Sequence, residues 1–285
     1  MVPSAAPTRP VLRWHGGKWL LAPWIIAHFP PHGTYVEPFG GAASVLLRKE
    51  RSCAEIYNDL DDDLVALFRV LRSGRAAEFT EAIRNTPFSR AEFEQAYKPT
   101  ADSFERARRL MIRSLMGCGS AGGSRANRVG LRPTDDRRNM LPSHDWANVP
   151  ANLPAVIDRL RGVVIENRPF LDVIGAHDSP ETLHYLDPPY LPETRTSTGV
   201  YSHEMTVEDH KYLLVGAKLL EGMVVISGYE SDLYREALAD WRVETRSHYS
   251  FKGLPRTEWL WINEAADRQL SDGPLFAKTT MEAEA

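Results

Sequence analysis

Short β-type runs recur along the chain with helix-length stretches between them, and this spacing restricts the fold more than any other feature. "TYVEP" (34–38) and "AEIYND" (54–59) come first; "GVVIEN" (162–167), "LHYLD" (183–187) and "GMVVISGY" (222–229) follow a long middle region. Parallel strands need long crossover connections, whereas antiparallel neighbours can be joined by tight turns. Alternating strands and helices therefore predict a doubly wound, mostly parallel α/β sheet of the Rossmann-like kind. "WRVETRSHY" and "EWLWIN" lie close together near the end and read as a closing pair of strands. In "DDDLVALFRVLR", Leu64, Leu67, Phe68 and Leu71 share one helical face. "WLLAPWIIAHF" and "ASVLLRKE" also read as helices.

The middle differs. Residues 73–160 are helical at first and then rich in Gly, Ser, Arg and Asn. We read this region as an inserted, mainly helical module that interrupts a discontinuous domain formed by 1–72 and 161–285. On "SFERARRLMIRSLM", Phe104, Ala107, Met111 and Leu115 share one face, with Arg106, Arg109 and Arg113 opposite. "GCGSAGGSRANRVG" then reads as a loop. The net charge of −4 conceals an asymmetry, because nine arginines face three acids between Glu105 and Arg138, while "NDLDDD" and "TTMEAEA" are acidic. A local basic patch, not the overall charge, is what phosphates meet.

Other totals exclude more than they assign. No run of eighteen apolar residues exists, so nothing spans a membrane. "MVPSAAPTRPVLRW" has no apolar h-region and does not read as a signal peptide. Two cysteines, Cys53 and Cys118, are too few for a disulfide framework or a zinc site, which points to a reducing cytoplasm. No His/Cys cluster has metal-ligand spacing, so no metal is expected. Ser44 and Ser120 lack a nucleophile elbow.

"LHYLDPPYLP" (183–192) is the sharpest signal. Two consecutive prolines cannot donate to a sheet ladder and stop a strand abruptly. Asp187 and Tyr190 are thereby left on a stiff loop at the strand's C-terminal edge, where ligands sit in open α/β sheets. "VEPFGGAAS" (36–44) follows another strand, and its glycines permit close backbone approach to a ligand, although many strand–helix turns carry glycine. Asp59 ends the next strand, where an acid accepts ribose hydroxyls; alternatively Asp59 or Asp61 caps the following helix. "RWHGGKW" (13–19) is either a ligand-contacting stretch or an amphipathic turn before a helix.

In that order, "RWHGGK", "VEPFGGAAS", "YND" and "LDPPY" resemble the motifs of the Dam-type (class-alpha) DNA adenine-N6 methyltransferases. The match covers about 10 to 265 and is weakest in the insertion. The resemblance implies S-adenosylmethionine as methyl donor, no metal, and transfer to the N6 amine of adenine in double-stranded DNA after base flipping. Carried over by position, Trp14, Lys18, Glu37, Phe39, Gly41, Asp59 and Asp187 contact the cofactor. Asp187, Pro188 and Tyr190 form the catalytic set: the Asp187 carboxylate and Pro188 carbonyl accept the amine protons, and Tyr190 stacks on the base. Arg13, Arg106, Arg109, Arg113, Arg125, Asn127 and Arg128 are expected on DNA, with "RANR" (125–128) loosely matching the family's DNA-reading loop. That pattern is lost in "VGLRPTDDRRN". Ala43 stands where the family usually has glycine, and its methyl group is expected to narrow the cofactor turn. A monomer is expected. RNA or protein-glutamine methylation, and an inactive DNA-binding homologue, are the alternatives.

Overall fold

The computed structural model describes residues 6–125, 127–133, 141–194, 202–249 and 255–271. Five strands make the parallel part of the sheet: β1 (Thr34–Glu37), β2 (Ala54–Asn58), β3 (Val163–Glu166), β4 (Thr182–Leu186) and β5 (Met223–Gly228). β6 (Arg242–Tyr249) and β7 (Pro255–Ile262) complete a seven-stranded sheet in the order β3-β2-β1-β4-β5-β7-β6, with β7 antiparallel to both its neighbours. β4 and β5 are buried along their whole length, as strands covered on both faces must be, and this explains why they read as mainly apolar without alternation, with Thr182, His184 and Ser227 buried among them. The chain moves outward from β1 to β2 and β3, then returns to place β4 on the other side of β1. At that reversal the C-terminal ends of β1 and β4 open a crevice.

Helices cover the sheet. The first, α1 (Ala22–Ile26), is short, with proline in its opening turn. α2 (Asp62–Arg72) is capped by the Asp61 carboxylate, which accepts the Asp63 amide. Asp62 and Asp63 in the first turn, and Arg69 and Arg72 in the last, complement the helix dipole. The acidity of "NDLDDD" is thus partly a helix start, and Leu64, Leu67, Phe68 and Leu71 are buried together.

α3 (Ala76–Arg84), α4 (Arg90–Gln95), α5 (Ser103–Met116), α6 (Pro142–Ala147) and α7 (Val149–Arg159) occupy the inserted stretch. Their apolar residues do not form a separate core. Phe79, Ile83, Phe93, Met111 and Leu153 belong to the same buried cluster as Tyr35, Leu46 and Phe68 beside the sheet. α8 (Phe170–Ala176) follows β3, α9 (Val207–Leu219) and α10 (Asp232–Ala237) flank β5, and α11 (Glu264–Ser271) ends the described chain. The remainder of "VGLRPTDDRRN" past 133 and the tail "TTMEAEA" lie outside the described residues.

Two local expectations are corrected. "ASVLLRKE" forms successive turns, not a helix: Leu47 donates to the Ala43 carbonyl, whereas Arg48 and Lys49 both donate to Val45. The Leu46 amide turns to the Glu37 carboxylate instead of to a carbonyl four residues back, so the helical ladder cannot propagate. Ala43 itself has φ of 54°, a left-handed conformation that glycine adopts without strain. Its methyl group, expected to narrow that turn, is buried in the core and does not line the crevice.

Candidate active site

The crevice at the β1–β4 reversal is a cleft of about 280 Å³. It gathers Trp14, Lys18, Glu37, Phe39, Gly41, Asp59 and Asp187, which are scattered over the sequence. Gly41 has φ of +50°, and a Cβ there would approach the Trp14 indole to 3.2 Å. On another side of that indole, a Cβ at Gly123 would come within 2.3 Å of Cζ3. Trp14 is therefore seated between two glycines, one from the turn after β1 and one from the loop after α5.

The turn is fixed from below. Asp59 Oδ2 accepts the Gly41 amide at 2.8 Å and Oδ1 accepts the Asp61 amide at 2.8 Å. Tyr57 donates its hydroxyl to the Gly41 carbonyl at 2.8 Å. The alternatives of ligand acceptor and helix cap fall on neighbours: Asp61 caps α2, while Asp59 holds the glycine turn. Phe39 packs its ring 5.0 Å from that of Phe170. Burial pushes the Asp59 carboxyl up to about 6 and that of Glu37 up to about 8, although Glu37 accepts both the Tyr35 hydroxyl and the Leu46 amide.

Asp187 is held on one oxygen. β4 and β5 pair in parallel up to Leu186↔Ile226, which sets the next residues, Asp187 and Ser227, side by side. Ser227 donates to Asp187 Oδ1 at 3.0 Å, and Lys18 Nζ lies 2.9 Å from the same atom. Behind Ser227, its Oγ and the Tyr185 hydroxyl are 2.9 Å apart. Because Ser227 gives its proton to Asp187, Tyr185 is the donor of that second bond. The carboxylate is thus oriented through Oδ1, and among the described residues Oδ2 remains for a ligand.

Tyr190 sits deeper than expected. It is only 8% exposed, its hydroxyl donates to Glu258 Oε1 at 2.5 Å, and Lys18 Nζ lies over its ring at 4.7 Å. Tyr229, half-buried after β5, tilts against it at 4.5 Å between ring centroids.

The arginines of α5 correct the sequence reading most sharply. Arg113 is 1% exposed, with its guanidinium on Asp63, on the Ala96 carbonyl and on the Gly123 carbonyl. Arg109 is buried against Glu105 and the Lys98 carbonyl. Arg106 lies 3.6 Å from Asp62 and 3.7 Å from Asp63. The physical reason is that α5 is an interior helix, buried on nearly every side, so its cations meet internal acids. Arg109 and Arg113 are not available to phosphates. Arg125 pairs with Asp63 at 2.9 Å but keeps 38% of its side chain exposed, and Arg128 is exposed over the Tyr97 ring. Asn127 is half-buried in the same loop. Arg13 is half-buried near Asp145 and Arg132, and burial together with Arg132 lowers its pKa.

Ser227, Tyr185, Tyr229 and Glu258 were not singled out from sequence. A hydroxyl inside the apolar run "GMVVISGY" and an acid inside "EWLWIN" were the available signals, since buried polar groups need partners. Among the described residues, no helix is long and apolar enough to cross a membrane, and no group of three or more His, Cys, Asp or Glu is placed to hold a metal ion.

Comparison with known proteins shows the family. Residues 14–250 match the model of the D12 class N6 adenine-specific DNA methyltransferases. The chain is 28% identical over 243 residues to the DNA adenine methylase of Escherichia coli (strain K12), covering 80% of this chain and 83% of that one. It is 26% identical over 243 residues to the DNA adenine methylase of Salmonella typhi, with the same coverage. It is 24% identical over 195 residues to the type II methyltransferase M.CviBI of Paramecium bursaria Chlorella virus NC1A, covering 64% of this chain and 69% of that one.

Proposed function

The chain belongs to the D12 class of N6 adenine-specific DNA methyltransferases, and on that premise we propose that its cleft binds S-adenosylmethionine and that the loop after β4 activates an extruded adenine of duplex DNA. The enzyme methylates the N6 amine of adenine in DNA. The observation that carries the cofactor reading is charge. Asp59, Asp61, Asp187, Glu204 and Asp209 line the cleft against the ammonium of Lys18 among its described residues, while Glu37 beside them is held largely protonated by burial. A partly buried, acid-rich cleft favours a cation, because charges there are screened less than in water. The bound sulfonium supplies an electrophilic methyl carbon. Asp59, with its two oxygens on amides, retains lone pairs for a ribose hydroxyl. Trp14 and Phe39 supply apolar walls.

Adenine's amine is a poor nucleophile because its lone pair is delocalised into the ring. Asp187 Oδ2 and the Pro188 carbonyl accept the two N–H groups, which localises the pair on nitrogen. Pro188 and Pro189 have no N–H to compete for those acceptors. Ser227 and Lys18 hold the carboxylate in place beforehand, so the arrangement is preorganised and not assembled during the reaction. The nitrogen would take the methyl carbon as the carbon–sulfur bond breaks, its electron pair leaving with sulfur as a neutral thioether, and would then lose one proton to the Asp187 carboxylate. No proton need leave before attack.

The amine cannot reach the cleft while paired, so the base is flipped out, at a cost of a few kcal/mol. Tyr190 and Tyr229 form an aromatic wall against which it stacks, an interaction worth roughly 1–3 kcal/mol per base. We place phosphate contacts on Arg125 and Arg128, with Asn127 beside them, and assign 73–160 to target recognition in function while it shares the common core. Expression in a methylation-free host, with sequencing that reports modified adenines, tests the reading. Methylated adenine in a recurring sequence is expected, and unmodified DNA alongside folded, cofactor-binding protein contradicts it.

A further inference from the structure

Opposite Asp187, on the far side of Lys18, the sheet supplies a second carboxylate that the mechanism above does not use. Glu258 in β7 is 1% exposed. Lys18 Nζ lies 2.9 Å from Asp187 Oδ1 and 3.7 Å from Glu258 Oε1, so one ammonium stands between two acids. The same Oε1 accepts the Tyr190 hydroxyl at 2.5 Å. Glu258 therefore touches both partners that border the reacting amine's site, yet touches neither the amine nor the cleft.

We propose that Glu258 is a positioning residue for methyl transfer: its ionised carboxylate shares Lys18 with Asp187, so that Asp187 is the more basic acceptor for the amine protons, and its bond to Tyr190 fixes the stacking ring. The electrostatics give the direction. When Glu258 is neutral, the charge of Lys18, which also donates to the Gly16 carbonyl, acts on Asp187 undivided and lowers its basicity, weakening the acceptor. When Glu258 is ionised, the ammonium is divided between two anions and Asp187 accepts more strongly. The groups facing Glu258 are Lys18 from the N-terminal loop, Asp187 and Tyr190 after β4, Tyr185 in β4, Tyr229 after β5, and Arg246 opposite it in register on β6. Burial pushes its carboxyl up to about 7, against the opposing pull of Lys18. Its active, ionised form is therefore present above that pH and lost below it.

The proposal rests on Asp187 as the amine acceptor, and the experiment separates the two. Single-turnover methylation of duplex DNA at saturating cofactor is followed from pH 5.5 to 9 for wild type, Glu258→Gln and Asp187→Ala. Wild type should show an acid limb with its midpoint near pH 7. Glu258→Gln should bind cofactor and stay folded at the assay temperature, react roughly 10–100-fold more slowly at pH 8, the range seen when outer-shell partners of metal ligands are removed, and lack that limb. An unchanged limb in Glu258→Gln, or a wild-type rate flat from pH 6 to 8, overturns the proposal; the second result stands even if the variant fails to fold. An active Asp187→Ala overturns the catalytic reading itself.

Discussion

Replacing Arg113 by Met separates a structural cation from a DNA-binding one. The guanidinium lies at the junction of three segments: Nη2 is 2.7 Å from Asp63 Oδ2 in α2, Nη1 is 2.7 Å from the Ala96 carbonyl, and Nη2 is 3.3 Å from the Gly123 carbonyl. Methionine matches much of the volume but satisfies none of these acceptors. Removing one partner of a buried pair costs about 3–5 kcal/mol, because the other charge stays buried. Arg125, 2.9 Å from Asp63 Oδ1, compensates in part, so we take the lower end, ~3 kcal/mol. Against a total stability of roughly 5–15 kcal/mol this is large, and at about 2–4 °C per kcal/mol it lowers the melting temperature by about 6–12 °C. Thermal unfolding by circular dichroism measures that shift. DNA affinity across a salt series, measured well below the transition, should keep its slope. Arg128→Ala should do the reverse, with an unchanged melting temperature and a salt slope smaller by ~0.9 per lost phosphate contact. If Arg113→Met melts like wild type and flattens the salt slope, α5 is a phosphate surface and the burial argument is wrong.

Three further outcomes follow from the geometry. Gly123→Ala places a methyl group 2.3 Å from Trp14 Cζ3, so it should weaken cofactor binding in calorimetry although it lies in the inserted stretch; unchanged affinity would show that the indole is not part of the site. Glu37 and Glu258 titrate near 8 and 7 when folded, against an ordinary 4.5, so the folded chain binds more protons than the unfolded one between pH 6.5 and 8. Stability without cofactor must then fall as pH rises through that window, and a sulfonium ligand should flatten the fall by favouring the ionised forms; a melting temperature that rises from pH 6.5 to 8 contradicts this. Below pH 6.5 buried His184, held neutral down to about 4, works in the opposite direction, which is why the test starts there. Ala43→Val, a β-branched residue at φ of 54°, should destabilise the chain in denaturant titration, whereas Ala43→Gly should leave cofactor affinity unchanged because the methyl group lies outside the cleft.

The sheet was legible because β4 and β5 are covered on both faces and so read as mainly apolar runs ended by Asp187 and by Gly228. Its closing hairpin was legible because β6 and β7 are close in sequence. The cleft was legible where a backbone requirement leaves a trace: prolines that stop β4, glycines that admit the Trp14 indole, an acid at the end of β2. What was illegible depends on tertiary neighbours. Helical spacing placed Arg106, Arg109 and Arg113 on one face correctly, but whether that face meets water or the acids of α2 is decided by packing. The turn after Gly41 looked helical by composition, yet Glu37 captures the Leu46 amide. Ser227 and Glu258 become functional only when β4, β5 and β7 align, and no local pattern in "VVISGY" or "RTEWLWIN" encodes that alignment.

The central claim is that Asp187, held through Oδ1 by Ser227 and Lys18, activates the adenine amine with its remaining oxygen. Asp187→Asn puts it to the most direct test, because it keeps the shape and removes the anionic acceptor. Its single-turnover rate on duplex DNA at saturating cofactor should drop by orders of magnitude, while the protein stays folded at the assay temperature despite losing the anionic partner of Lys18. A variant that transfers methyl groups at the wild-type rate would contradict the account.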